Sequence, residues 1–424
     1  MCYRVTAIDI HKKVLMVVVA TAAEQVKDVT GEALTFECRR FGTGSQERMH
    51  LVAWLQERGV REVVMESTAQ YWKPVWLDLE PHFGKLHLAQ AQSNRAPKGR
   101  KNDFLDAKRL ARRLLAGELM LSFVPDAEQR SWRTITRSKQ QLVGNRVQLQ
   151  NQLEALLEEM RLKLSSVITD LLGVSGRRIL TALSKGETHP VRLAALGDDR
   201  LKCGRQVLAD ALRGTPTPAQ LAVLKLSMER LDLLDEQIES LDKLAADALR
   251  EHEAAVKRVA EIPGFGVDSA QQIIAEMGVN AEAFPSAAAF SSWVGVCPGS
   301  NVSAEQNHSS RSAKGNRFVR KLLTQAAQAA ARKKGSRFQS IFRRFAPKLG
   351  WNGAIWVVAH RLACVVWKIL HDGVAYVEKG TDTNPKAKKR RAQKLAQALR
   401  RLGYSVTLTP IIPEAQLEDA CNPA

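Results

Sequence analysis

Cysteine is scarce in this 424-residue chain: there are six, and no two form a C-x-x-C pair. Cys2, Cys38, Cys203, Cys297, Cys364 and Cys421 lie far apart, which suggests neither a zinc knuckle nor a disulfide framework and fits a reducing cytoplasm. Long hydrophobic runs are also lacking. The longest, Val14 to Ala23 and Ala354 to Leu370, are too short for a bilayer or are interrupted by His360, Arg361 and Lys368. No cleavable signal opens the chain. The basic stretches are not coupled to a Trp/Phe-rich amphipathic helix, which argues against a membrane-surface protein. Acidic residues are the third shortage: 44 Asp and Glu face 63 Lys and Arg, for a formal charge of +19. Such an excess calls for a large polyanionic partner, nucleic acid first.

What is present is ordinary for a folded protein. Hydrophobic residues make up 45% and charged residues 25%, which excludes wholesale disorder, and the length accommodates two to four domains. The positive charge is concentrated in three stretches. Asn94 to Arg113 holds eight basic and two acidic residues, Glu305 to Lys348 twelve and one, and Asn384 to Arg401 eight and none. Together these exceed the excess of the whole chain, so the remainder is mildly acidic. One such run reads as a solvated helix face; three point to phosphate binding.

The N-terminal pattern predicts a hairpin, with Val5 to Ile10 and Val14 to Thr21 as strands around a His11-Lys12-Lys13 turn. A third strand over Ala33 to Phe41, a helix over Ser45 to Arg58 and a strand over Val60 to Met65 follow. Next come a helix from about Tyr71 to Phe83, a strand over Lys85 to Gln90 and a helix over Asp103 to Ala116. This is the element order of an α/β ribonuclease-H-like domain with a five-stranded mixed sheet. Gln140 to Leu164 and Leu221 to Arg250 then read as long amphipathic helices. The second carries Leu224, Leu231, Ile238 and Ala245 in one heptad register, with Leu234 and Leu241 in another. A helical hairpin and a coiled-coil arm pairing between subunits both fit. Gly173, Gly176, Gly186 and Pro190 break the material between them. From Glu261, Ile262-Pro263-Gly264-Phe265-Gly266 followed by Val267 to Met277 reads as a helix-hairpin-helix pattern. Its turn would offer the Gly264 and Gly266 N–H groups to a phosphate oxygen, although a purely structural turn fits nearly as well.

Asp9 interrupts an apolar strand, where a carboxylate requires a partner or a cation. Glu66 ends the strand expected beside it. Asp103 and Asp106, three apart at a helix start, project from one face. Each alone has an ordinary explanation, as a salt bridge, a solvated strand end or a helix cap. Together they make a four-carboxylate site for one or two Mg²⁺, with Mn²⁺ as the alternative, because oxygen-only ligands suit these ions rather than zinc. A second constellation runs from Trp293 through Cys297-Pro298-Gly299-Ser300-Asn301-Val302-Ser303 to the cations Arg311, Lys314, Arg317, Arg320 and Lys321. A serine between a glycine-rich turn and a cationic helix suits attack on phosphorus, but on these residues alone a surface loop is the simpler account.

With these motifs in order, the chain resembles the insertion-sequence transposases that join a RuvC-like Asp-Glu-Asp-Asp domain to a C-terminal serine transposase domain and act as bridge-RNA-guided recombinases. The resemblance spans about Val5 to Ala116 and Val259 to Phe345. It rests on Ala7-Ile8-Asp9-Ile10-His11-Lys12, Val64-Met65-Glu66-Ser67-Thr68, Tyr71 to Trp76, and most specifically Lys101-Asn102-Asp103-Phe104-Leu105-Asp106-Ala107. In the C-terminal part it rests on Ile262 to Gly266, Phe290 to Pro298 and Ser312-Ala313-Lys314-Gly315-Asn316-Arg317.

The resemblance implies that Asp9, Glu66, Asp103 and Asp106 are catalytic and bind Mg²⁺, and that a serine past Pro298 is the nucleophile. Ser303 falls at the matching position and Ser300 is second choice; Ala304-Glu305-Gln306-Asn307 departs from the family's small-residue pattern. It also implies DNA and guide RNA as partners, and a composite site in a homodimer or tetramer. Residues after about Leu370 lie beyond it. The expected organisation is a RuvC-like metal-binding domain (1–120), a helical coiled-coil region (121–255), a mainly α serine transposase domain (256–370) and a basic extension (371–424). Lys98, Arg100, Lys101, Gly264, Gly266, Arg311, Lys314, Arg317, Arg320 and Lys321 are the expected nucleic-acid contacts, and the expected location is the cytoplasm, at the nucleoid. The rivals are a water-using Mg²⁺ nuclease or junction resolvase, and a non-catalytic nucleic-acid-binding protein.

Overall fold

The computed structural model describes residues 3–22, 34–66, 69–91, 103–299, 301–303, 306–309, 312, 314–378 and 385–409. They fall into two compact units, Met1–Pro125 and Asp126–Ala424.

In the first unit the β-branched runs of the N-terminus form β1 (Tyr3–Ile10) and β2 (Val14–Ala22), antiparallel, with Ile10 opposite Leu15. The tight turn between them is closed by the His11 N–H, which donates to the Val14 carbonyl at 2.9 Å. β3 (Leu34–Gly42) pairs antiparallel with β2. After α1 (Ser45–Glu57), Gly59 turns the chain at φ 58°, a left-handed conformation that glycine adopts without a Cβ clash. The chain then enters β4 (Glu62–Glu66), parallel to β1. α2 (Trp72–Leu79) leads to β5 (Leu86–Ala89), parallel to β4, and α3 (Asp103–Leu115) completes the unit. The sheet order β3-β2-β1-β4-β5 agrees with the ribonuclease-H-like expectation. The third strand was expected from Ala33, which lies outside the described residues.

Alternation along the strands sorts the side chains onto two faces. Ile8, Ile10, Val17, Val63 and Met65 pack against Leu51 and Leu55 of α1 and Val75 and Leu79 of α2. Val5, Ala7, Ala20 and Val64 pack against Leu110 and Ala111 of α3. The sheet is thus covered on both faces, and each large aliphatic buried there contributes about 1.5–3 kcal/mol.

The second unit begins with α4 (Ala127–Glu159), capped by Asp126, whose side chain accepts the Gln129 N–H at 2.7 Å. The short helices α5 (Leu164–Val167), α6 (Val174–Ser184), α7 (Pro190–Ala195) and α8 (Arg205–Ala211) follow. Next is α9 (Pro218–Ala248), which starts with a Thr217/Gln220 capping box and Pro218 in its first turn. α4 starts thirteen residues earlier than its apolar period indicated. Its added turns bury Gln129, Trp132, Thr136 and Lys139, a helical stripe that is mostly polar and therefore invisible to hydrophobic periodicity. Leu224, Leu231 and Leu234 of α9 are buried in one core with Leu149, Leu153 and Leu157 of α4 and the short helices, so these leucines find their partners within the chain. Gly176, expected to break the helical material, sits inside α6, where a Cβ would stand 2.0 Å from the Leu171 carbonyl oxygen.

The chain continues through α10 (Glu253–Ala260), α11 (Val267–Met277) and α12 (Ala287–Val294). A small hairpin of β6 (Asn301–Ser303) and β7 (Gln306–Ser309) comes next, then α13 (Arg317–Arg332), α14 (Arg337–Asp372) and α15 (Pro385–Arg401). α14 is long and apolar enough to cross a membrane by length and composition. Its backbone breaks at Gly350 (φ 69°), and Val358, Leu362, Val366 and Leu370 are buried in the protein core.

Candidate active site

The alternation that covers the sheet also places the acids. Val5 and Ala7 face α3, so Asp9 and His11, the next residues of that phase, face the same side at the end of β1. In β4, Val64 faces α3 and Glu66 follows in phase. β1 and β4 are parallel with Ile8 beside Met65, so Asp9 and Glu66 leave the carboxyl ends of neighbouring strands. Asp103 and Asp106 occupy the first turn of α3, in helical spacing with Ala107, Leu110 and Ala111, which pack on that sheet face. The fold brings all four carboxylates to one end of the sheet, where the helix N-terminus favours negative charge.

His11 sits among them. Its Nε2 lies 3.2 Å from Asp9 Oδ2 and 3.7 Å from Asp103 Oδ2. The Asp9, His11 and Asp103 donor atoms all fall within 4.8 Å of one another. His11 Nε2 is shielded from solvent and faces the Asp9 carboxylate as its ion-pair partner. Asp106 is held by Arg109, whose Nη1 approaches its Oδ1 at 3.1 Å. Burial pushes the Asp9 carboxyl above its usual range; His11 opposes the rise, and Asp103 and Asp106 reinforce it. Glu66 is likewise pushed up, first by burial and then by Asp9 and Asp106, against the pull of Arg109 and His11. Crowded, part-buried acids of this kind are relieved by a cation. Four carboxylates with a shielded imidazole nitrogen among them fit a divalent ion. The Asp-x-His spacing at a strand end was the signal for His11, because residues two apart on a strand share a face.

In the second unit, Ser303 ends β6, opposite Gln306 across the hairpin. The expectation was an open loop; the structure gives a two-stranded ribbon, too short to show a strand period. Ser300 lies outside the described residues, as do Lys98, Arg100, Lys101 and Arg311. The motif that follows is anchored at three points. Ser312 Oγ accepts the Trp356 Nε1–H at 2.9 Å. At Gly315 a Cβ would stand 2.3 Å from the Val294 carbonyl oxygen, so glycine is required there. Asn316 caps α13, its Oδ1 accepting the Phe318 and Val319 N–H groups, while its Nδ2 donates to Glu276 Oε2 at 2.8 Å. Glu276, which sequence reasoning did not single out, signals itself only as an acid in an otherwise apolar helix end.

The expected nucleic-acid contacts separate. Lys314, Arg317 and Lys321 are exposed. Arg320 is half-buried, with Nε donating to the Val294 carbonyl at 3.3 Å and its guanidinium 5.8 Å from the Trp356 ring. The Gly266 N–H donates to Ser269 Oγ at 2.8 Å and so is already satisfied. Gly264, at φ 93°, lies so close to α13 that a Cβ would stand 2.2 Å from the Ala326 carbonyl oxygen. Its packing explains the glycine, yet it also lines a cleft of about 230 Å³ with Lys321, Ser269, Gln272 and Gln325.

Residues 6–161 match a DEDD-type transposase family of the IS110 kind, and residues 256–343 match the Transposase IS116/IS110/IS902 family. The first match holds all four carboxylates, and the second holds Ser303, Gly315 and Asn316. No curated protein matches the chain.

Proposed function

Since the chain carries both IS110-family transposase domains and is a DNA transposase/recombinase, we propose that it cuts and rejoins DNA strands through Ser303, at a divalent-cation centre of Asp9, Glu66, Asp103 and Asp106. The Ser303 hydroxyl oxygen bonds to the scissile phosphorus while the bond from phosphorus to one deoxyribose oxygen breaks, and the serine proton ends on the departing hydroxyl. The phosphoserine conserves the ester bond. Attack by the hydroxyl of another strand rejoins the DNA and returns the serine. A divalent ion, Mg²⁺ or Mn²⁺, supplies charge neutralisation at the reacting phosphate when bound. The exposed Lys314 and Arg317 at the start of α13, Lys321 beyond them, and Lys98, Arg100, Lys101 and Arg311 hold phosphates of the substrate.

The observation that best supports this reading is the convergence of Asp9, His11 and Asp103 donor atoms within 4.8 Å, with Glu66 pushed up by burial and then by Asp9 and Asp106. The division proposed is a metal-binding domain (1–120), a helical region (121–255), a serine transposase domain (256–370) and a basic extension (371–424). The protein acts as a homodimer or tetramer at the nucleoid, with target choice delegated to a guide RNA by base pairing.

The test incubates the protein with element-end DNA, RNA from the flanking non-coding region and Mg²⁺, then resolves the products on a denaturing gel. A protein–DNA adduct formed by wild type and lost in Ser303→Ala, with DNA binding kept, is the expected result. Cleavage that persists in Ser303→Ala without an adduct would assign the reaction to water.

A further inference from the structure

We propose that His11 is a ligand of the divalent cation at the carboxylate centre, and that its nitrogen biases the centre toward Mn²⁺ over Mg²⁺. The proposal rests on the reading of Asp9, Glu66, Asp103 and Asp106 as a cation site and adds a ligand that the four-acid motif does not contain.

Three observations carry it. First, the strand period directs His11 to the face on which Asp9 and Glu66 stand, toward the first turn of α3. Second, although the ring is 43% exposed overall, its Nε2 edge is shielded from solvent and set against the Asp9 and Asp103 carboxylates. A cation shared by these groups would take up the nitrogen and both carboxylates at once, and their donor atoms all lie within 4.8 Å of one another. Third, the spacing suits a shared ion. Adjacent donors on an octahedral ion with bonds of about 2.1 Å stand about 3 Å apart, and Nε2 lies 3.2 Å from Asp9 Oδ2 and 3.7 Å from Asp103 Oδ2.

Selectivity follows from ligand type. Mg²⁺ takes oxygen almost exclusively and gives up water reluctantly, whereas imidazole is a good ligand for first-row transition ions. Replacing one oxygen by nitrogen therefore strengthens Mn²⁺ binding relative to Mg²⁺.

The full-length protein would be loaded with Mn²⁺ and examined by pulsed electron paramagnetic resonance for ¹⁴N coupling to the ion, with Mn²⁺ and Mg²⁺ affinities measured by calorimetry. Wild type should show the coupling of a bound imidazole. His11→Ala and His11→Gln should lose it, with Mn²⁺ affinity falling about tenfold or more and Mg²⁺ affinity changing much less. Both variants should retain the wild-type circular dichroism melt, because the ring is half-exposed. Mn²⁺ bound by wild type without nitrogen coupling, or coupling that survives in both variants, would overturn the ligand while leaving the carboxylate centre in place. Failure of wild type to bind Mn²⁺, or binding unaffected by Asp9→Asn, would overturn the centre itself and His11 with it.

Discussion

Glu276 is a carboxylate almost removed from water, with a side chain 3% exposed, and its partners come from two other parts of the second unit. Arg137 grips it with two bonds, Nε to Oε1 at 2.6 Å and Nη2 to Oε2 at 2.9 Å, and Asn316 donates from the N-cap of α13. Arg137 also lies over the Phe318 ring at 4.6 Å. One residue thus fixes where α13 begins, immediately after the segment that carries Ser303. Removing one partner of a buried ion pair leaves the other charge uncompensated, which costs about 3–5 kcal/mol. Glu276→Ala should therefore lower the urea midpoint of the second unit by a corresponding amount, and Glu276→Gln, which keeps shape and hydrogen bonding, should lower it less. An unchanged midpoint in Glu276→Ala would mean that Arg137 recovers its solvation at the surface.

Helix ends and helix pairs account for the architecture of the second unit. The last carbonyls of α11 lack intrahelical donors, and α4 supplies them. Gln129 Nε2 donates to the Ala275 carbonyl at 3.1 Å, and Arg133 donates to the Ala275 and Glu276 carbonyls, bringing positive charge to a helix C-terminus. Lys139 of α4 is buried between Asp242 of α9 and Asp268 of α11 and hydrogen-bonds both. Burial pulls its ammonium down, but the two carboxylates more than offset this, and the net shift is upward. A folded-state pKa above the unfolded value stabilises fully below about pH 10.4, the ordinary lysine range, and that contribution is lost as pH rises through the folded value. The second unit should consequently lose stability in alkali, as followed by thermal melting between pH 9 and 12. Lys139→Met should flatten that alkaline limb; a wild-type limb that persists unchanged in the variant would assign it elsewhere.

At the scale of the molecule, the excess charge is the feature that any DNA contact must use. α15 lies outside both family matches, and its stretch holds eight basic residues and no acid. Each phosphate contact that releases a counterion contributes about 0.9 to the slope of log affinity against log salt for duplex DNA. Truncation after residue 378 should make that slope shallower by about 0.9 for each contact α15 provides, with the largest affinity loss at low salt. A slope unchanged by the truncation would show that α15 does not touch the nucleic acid, and that the Asn94 to Arg113 and Glu305 to Lys348 stretches carry the interaction.

Some of this was determined locally, in residue types and spacing. The strand–turn–strand opening, the order of helices and strands through Asp103, and the placement of Asp9, Glu66, Asp103 and Asp106 at element ends follow from period-2 and period-3.6 patterns and from turn and cap residues. Glu66 as an in-phase neighbour of Asp9 needed only a parallel pairing of β1 with β4, which the element order implied. Other features depended on contacts between residues far apart in the chain. The first half of α4 is buried through polar side chains, which hydrophobic periodicity cannot register. The glycines at 264 and 315 are there because another backbone passes within a Cβ's reach, and nothing beside them in the chain signals that approach. Whether the α9 leucines pair within the chain was undecidable from their heptads, because an apolar seam is satisfied by any matching surface; the short helices and α4 close over it. His11 needed both levels, since strand alternation gives its face, and only α3 folding onto that face leaves its Nε2 shielded among the acids.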